Sequence, residues 1–148
     1  MSTEPSQGLL DTNILALRPW IPADCLPDEM AISAVTVAEL AAGVHLVQGD
    51  DGAANHERAR RMAVLQQTEN EFDAVAFDTD AARVFGQMAA ALKAAGRTPR
   101  RRALDLMIAA TAAVHRLPVY TTNPADFAGL ADLVNIVPVP RPTSARSR

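Results

Sequence analysis

Cysteine, aromatic residues and long apolar runs are scarce in this chain, and each scarcity removes a class of protein. The single cysteine, Cys25, cannot close an internal disulfide and offers no CxxC pair for metal or redox work. Its setting between Pro22 and Pro27 holds nothing to lower a thiol pKa, so a cysteine nucleophile is not expected. No apolar stretch approaches the roughly 20 residues of a membrane span. Met1 to Gln7 lack the basic-then-apolar pattern of a signal peptide. A cytoplasmic protein is therefore expected. Positive charge is not in excess either, since the formal net charge is −3. That disfavours a protein that binds nucleic acid through overall basic charge, but leaves open a local basic patch or acids that hold cations. His45, His56 and His115 are scattered and make no zinc spacing.

What is present suits one domain with a substantial core: 148 residues, 49% hydrophobic and 21% charged. The periodicity predicts a strand at 8–10, a helix to Leu17, a Pro-broken loop over 18–29 and a short strand at 30–33. A helix over 35–46 follows, capped by Ser33 or Thr36, then a polar loop over 48–55 and a second helix over 56–67. Arg58, Arg60 and Arg61 on that second helix read as a solvated face. A strand at 72–77 leads to a helix over 81–95, with Asp78 and Asp80 as capping and first-turn acids and Gly96 at its end. Thr98-Pro99 signals another helix start, with the helix at 103–115. Strands at 119–121 and 134–137 flank a turn with a short helix. The alternation predicts a three-layer α/β/α domain over 1–138, with a mostly parallel sheet of four to five strands. Residues 139–148 read as a mobile basic tail.

Four acids stand out against this frame. Asp11 follows the first strand, where open α/β sheets put ligand sites, although a helix N-cap explains it equally. Glu39 shares a helical stripe with Val35, Ala42, Gly43 and Leu46, so it faces either a cleft or the edge of the core. Asp105 shares a stripe with Ile108, Ala109 and Ala112, one turn after Arg101. Asp126 lies just past the strand at 119–121. Carboxylates gathered at one rim repel unless a cation sits among them. All-oxygen donors select a hard divalent cation, Mg²⁺ or Mn²⁺. Such an ion serves phosphodiester hydrolysis, since it acidifies water and takes up charge on the phosphate.

The segments LLDTNIL, AVTVAELAAGV, LDLMIAATA and YTTNPADF, in this order and at these separations, resemble a PIN domain. More narrowly they are similar to the VapC toxins of bacterial toxin–antitoxin pairs, over about residues 8–138. The resemblance implies Asp11, Glu39, Asp105 and Asp126 as catalytic, metal-holding acids. Thr12 and Asn13 would orient Asp11 and its water, and Thr121 and Asn123 match the polar positions of the last motif. The implied activity is a Mg²⁺- or Mn²⁺-dependent endoribonuclease that cuts structured RNA such as tRNA or ribosomal RNA and inhibits translation. The implied partners are a cognate VapB-like antitoxin and a second toxin copy, with Ala-lined faces around 85–92 and the N-terminal loops as candidate dimer surfaces. Arg97, Arg100, Arg101 and Arg102 precede Asp105 and are candidates for RNA phosphate contacts, with a solvated helix start or an antitoxin contact as the alternative. A catalytically silent PIN-like binding module is the competing reading, against which the intact acid set counts. A receiver-like signalling domain fits poorly. Asp11 is followed by Thr12-Asn13 rather than an acid, and no lysine follows the final strand.

Overall fold

The computed structural model describes residues 4–143. Within them, β1 (Gln7–Leu10), β2 (Glu29–Ala31), β3 (Val119–Thr121) and β4 (Ile136–Pro138) form one sheet in the order β2-β1-β3-β4. Every pairing is parallel, as expected. The helices are α1 (Thr12–Leu17), α2 (Ala34–His45), α3 (Gly52–Glu71), α4 (Thr79–Ala94) and α5 (Ala103–Val114).

Successive strand residues point to opposite faces, and each face has its own core. Leu9 and Val119, which are register partners, pack with Met88, Leu92, Leu106 and Ile108 of α4 and α5. Leu10 and Tyr120, the next pair, turn to the other side with Ile14, Leu40 and Val64 of α1, α2 and α3. These two cores make the three layers.

The order also fixes where a ligand belongs. From β1 the chain steps to β2 on one side, and from β3 it steps to β4 on the other. The carboxyl ends of β1 and β3 therefore flank the switch point, where open parallel sheets leave a crevice.

Several expectations shift. The strand expected at 72–77 shrinks to an isolated parallel bridge, in which Val75 pairs with Ser33 through hydrogen bonds to Ile32 and Ala34. The second helix starts four residues earlier than expected, because Asp51 caps it through the Ala54 amide at 2.8 Å. The Thr98-Pro99 signal opens a 3-10 turn, Pro99–Arg102, and α5 begins only after it. The last strand starts at Ile136 because the amide of Val134 is tied back to the Leu130 carbonyl. Val139, placed in the tail, is buried and donates its amide to the Thr121 carbonyl at 2.8 Å, so the core passes residue 138. The rest of the basic tail, 144–148, lies outside the described residues. The apolar positions expected to form a dimer face around 85–92 are turned inward: Met88 and Leu92 are buried, and Phe85 and Ala89 pack against the same core. Among the described residues no helix is long and apolar enough to cross a membrane.

Candidate active site

Asp11 is the residue that follows β1, and the sheet itself holds it in place. Its amide donates to the Tyr120 carbonyl at 2.9 Å, which extends the β1–β3 ladder by one step. Its Oδ1 accepts the Thr12 amide at 2.9 Å, so Asp11 is the N-cap of α1. Its Oδ2 accepts the Thr121 hydroxyl at 2.8 Å from the end of β3. The cap reading of this acid holds and does not exclude the site reading, because the cap uses only one carboxylate oxygen. Thr121 is fully buried and its oxygen also accepts the Asn123 amide at 2.9 Å, which fixes the direction of its own proton toward Asp11. Burial raises the pKa of Asp11, the hydrogen bonds from Thr121 and Thr12 oppose the rise, and Asp126 adds to it.

Glu39 arrives from α2, which Ser33 starts by capping the Val35 amide at 3.0 Å. It is half-buried on the cleft wall, and its Oε1 accepts the Thr12 hydroxyl at 2.7 Å. That hydroxyl lies 3.1 Å from the Thr36 hydroxyl. Thr12 has one proton, and Glu39 can only accept when ionised, so Thr36 donates to Thr12 and Thr12 to Glu39. Burial raises the pKa of Glu39, Thr12 opposes it and Asp11 adds to it.

Asp105 sits in the first turn of α5, carried by a helix whose other face is anchored by buried Leu106, Ile108 and Ala109. No hydrogen-bond donor among the described residues reaches it, and its nearest cation is Arg102 at 3.9 Å. Burial and then the charges of Asp11, Asp126 and Glu39 push its pKa up to about 7, with Arg102 pulling the other way. Asp126, in the turn Pro124–Phe127, accepts a 2.6 Å hydrogen bond from the same Arg102. Four separate chain segments thus place four carboxylates within electrostatic reach of one another at the sheet's switch point.

The donor set fits a hard cation, since it is all oxygen and carries more negative charge than Arg102 offsets. It is not a closed cage. Among the described residues no three Asp, Glu, His or Cys side chains converge as metal ligands do. Glu39 leans on Thr12 and Asp126 on Arg102. The fit is to an ion held directly by one or two carboxylates with waters completing its shell, as Mg²⁺ often is.

The other expected residues divide. Thr12 and Thr121 touch the acids directly. Asn13 is exposed and makes no hydrogen bond to Asp11, and Asn123 contributes through its backbone amide. Of the four arginines only Arg102 reaches the acids, while Arg97, Arg100 and Arg101 are exposed. Thr36 was not expected here, since a threonine inside a helix carries no pattern that marks it. Nor were Arg60 and Arg61, which with Asn13 and Glu39 line a cleft of about 290 Å³.

Comparison with known proteins gives a consistent result. A PIN domain family model matches residues 9–133. Ribonuclease VapC5 of Mycobacterium tuberculosis is 38% identical over 133 residues, which cover 88% of this chain and 92% of that protein. The crystal structure of VapBC-5, a toxin–antitoxin complex from Mycobacterium tuberculosis, contains a chain 34% identical with a TM-score of 0.76. The match covers 91% of this chain and all of that one, 100%. A chain of the DNA-bound VapBC structure from Salmonella typhimurium matches at 26% identity and a TM-score of 0.61, covering 88% of this chain and 96% of that one.

Proposed function

Because the chain belongs to the PIN domain family, and within it to the VapC group, we propose that it is a Mg²⁺- or Mn²⁺-dependent endoribonuclease. Its role is that of the toxin of a toxin–antitoxin pair, cutting structured RNA such as tRNA or ribosomal RNA and so inhibiting translation. The cognate antitoxin is its protein partner, and assembly through a second toxin copy belongs to the same proposal. The observation that carries the reading is the gathering of four carboxylates at the sheet's switch point, where burial first and then the charges of Asp11, Asp126 and Glu39 push Asp105 up to about 7. Half-buried acids that also repel one another favour a cation between them.

A bound divalent ion would acidify the attacking water and take up negative charge on the phosphate. The chain's own residues supply position and proton bookkeeping. Thr121 and the Thr12 amide hold both oxygens of Asp11 in one orientation. The Thr36–Thr12 relay holds Glu39 across the cleft. Asp105 is the acid that no hydrogen-bond donor among the described residues reaches, so its oxygens are left to accept from an ion or the water it carries. Arg102 offsets charge between Asp105 and Asp126 and keeps the last motif seated against α5. Arg97, Arg100 and Arg101 are exposed in the segment that leads into α5, which supports them as contacts for RNA phosphates.

The test uses antitoxin-free protein and total tRNA, with Mg²⁺, with Mn²⁺ or with EDTA. Discrete fragments bearing 5′-phosphates, absent in EDTA and in Asp105→Asn, are expected. Cleavage that persists in both controls would sink the metal-dependent mechanism. Absence of cleavage in every metal and RNA would favour a silent PIN-like binding module.

A further inference from the structure

Arg58, Arg60 and Arg61 read in sequence as one solvated face, yet two of these guanidinium groups border the cleft that contains Glu39. Glu57 holds both. Its oxygens accept the Nε and Nη2 of Arg60 at 3.0 and 2.6 Å, a two-pronged pairing, and the Nε of Arg61 at 2.8 Å. Arg61 also donates Nη1 to the Gly43 carbonyl at 2.7 Å, which ties α3 to α2. The two arginines hold the Glu57 carboxyl down to about 2, so it stays ionised at any working pH. Each guanidinium has five N–H donors and uses two of them in these contacts. The remaining donors are oriented by the fork, and the side chains stay half exposed, Arg60 at 54% and Arg61 at 42%. Two cations against one carboxylate leave the group positive.

The cleft does not end at Arg60. Ala16, Arg60 and Val64 also line a second cleft of about 390 Å³, which runs on to Arg18, Pro19 and Trp20. Arg18 is neutralised there by Glu71 at 2.5 Å and lies over the Phe72 ring. Trp20 is only partly buried. Two adjoining clefts that share Ala16, Arg60 and Val64 thus run side by side, one holding Glu39 and Arg61 and the other Trp20, with Arg60 common to both. An arginine on the backbone followed by an aromatic face is how proteins hold unpaired RNA.

We propose that this groove binds the single-stranded segment flanking the scissile phosphate, with Arg60 and Arg61 on the next phosphate and Trp20 stacked on an unpaired base. It rests on the nuclease reading for the position of the scissile phosphate, but its own prediction concerns binding. A protein segment in the same groove is the rival occupant. The shared cleft with Glu39 favours RNA, because a polymer held at Arg60 delivers its neighbouring phosphodiester to the acids.

The test is run on full-length Asp105→Asn protein, with a ten-nucleotide oligouridine in Mg²⁺ buffer, reading the emission of the single tryptophan. Oligouridine is expected to quench Trp20. Arg60→Gln should weaken binding about tenfold and lower the log–log salt slope by about 0.7, the value for one phosphate contact on a single strand. Arg61→Lys, which keeps charge but loses the fork, should weaken binding less. Arg60→Gln avoids the risk that losing the Gly43 tie unfolds α3, and Arg83→Gln, on the exposed face of α4 and paired with Asp80, is the control that should change nothing. Unquenched Trp20, or Arg60→Gln and Arg61→Lys binding with the parent's affinity and slope, overturns the proposal. So does unchanged RNA binding combined with loss of neutralisation by the antitoxin, which would give the groove to the protein partner. Arginine-dependent binding without any metal-dependent cleavage by the wild-type protein would defeat the nuclease reading and leave the groove standing.

Discussion

Replacing Asp105 by Asn should stabilise the metal-free protein, by an amount that grows as pH rises above about 4 and is full above about 7. Folding takes this carboxyl from 3.8 to about 7. Between those values the native state binds more protons than the unfolded chain, so stability falls as pH rises through that window and stays low above it. That rise in pKa sets a ceiling of about 4 kcal/mol. The side chain is 23% exposed, and salt and local relaxation screen part of the repulsion, so a gain of about 1–3 kcal/mol is the realistic expectation. Asn keeps the volume and loses the charge. No hydrogen bond among the described residues is broken by the change, because none reaches Asp105. In EDTA at pH 8 the melting temperature should therefore rise, by about 2–4 °C for each kcal/mol in a domain of this size. Below about pH 3 the acid is protonated in both states and the two proteins should melt together. Mg²⁺ supplies the counter-control. At pH 8 it should raise the wild-type melting temperature by mass action, with about 2.7 kcal/mol at one hundred times its Kd, and raise the variant's much less. An Asp105→Asn protein that melts at or below the wild type at pH 8 would refute the claim that this carboxylate is held against burial and its neighbours' charge.

Other changes probe the supports. Thr121→Val removes the donor to Asp11 and the acceptor for the Asn123 amide; a loss of about 1–3 kcal/mol is expected, read by urea unfolding, with Mg²⁺ affinity falling by calorimetry. Ser33→Ala removes the α2 cap and should cost about 1 kcal/mol, with cleavage reduced because α2 carries Glu39. Arg102→Gln takes away the one group that lowers Asp105, so the Asp105 carboxyl should titrate higher than in the wild type by ¹³C NMR. Gly8→Ala would drive a Cβ into the Tyr120 ring and to 3.1 Å from Pro27; a loss of about 1–3 kcal/mol is expected from overpacking, measured by thermal melts.

Much of the fold was legible because the burial pattern repeats in register. Val119-Tyr120-Thr121 is short, but its neighbours on β1 are Leu9 and Leu10, and the two apolar pairs turn to opposite faces. The misjudged strand at 72–77 has the right residue types, yet only Val75 finds a partner, in Ser33. Apolar composition marks a segment as half-buried and says nothing of whether a neighbouring edge is there to pair with. The 3-10 turn at Pro99–Arg102 was similarly hidden, since a cap followed by Pro signals the start of a turn without fixing its pitch. The inward turn of Met88 and Leu92 shows the same limit for surfaces. An Ala-rich stripe reads alike whether a core or a partner covers it.

The acids and the arginines differ in legibility for a physical reason. A carboxylate in an apolar stripe is anomalous, so Glu39 and Asp105 announce themselves. An arginine on a polar helix is ordinary, and Arg60 and Arg61 become notable only when α3 lies across α2 and brings them to Glu39. The same argument explains how the domain tolerates its site. The repulsion is concentrated on side chains at the end of β1, on α2 and α5 and in the turn after β3, while the elements that carry them are fixed by fully buried residues such as Leu10, Leu106, Ile108 and Phe127. Asp11 has both oxygens satisfied by donors, and Glu39 has one. The unmet demand is thereby focused on Asp105, the acid carried on the best-anchored helix, where a cation can answer it with least movement of the chain.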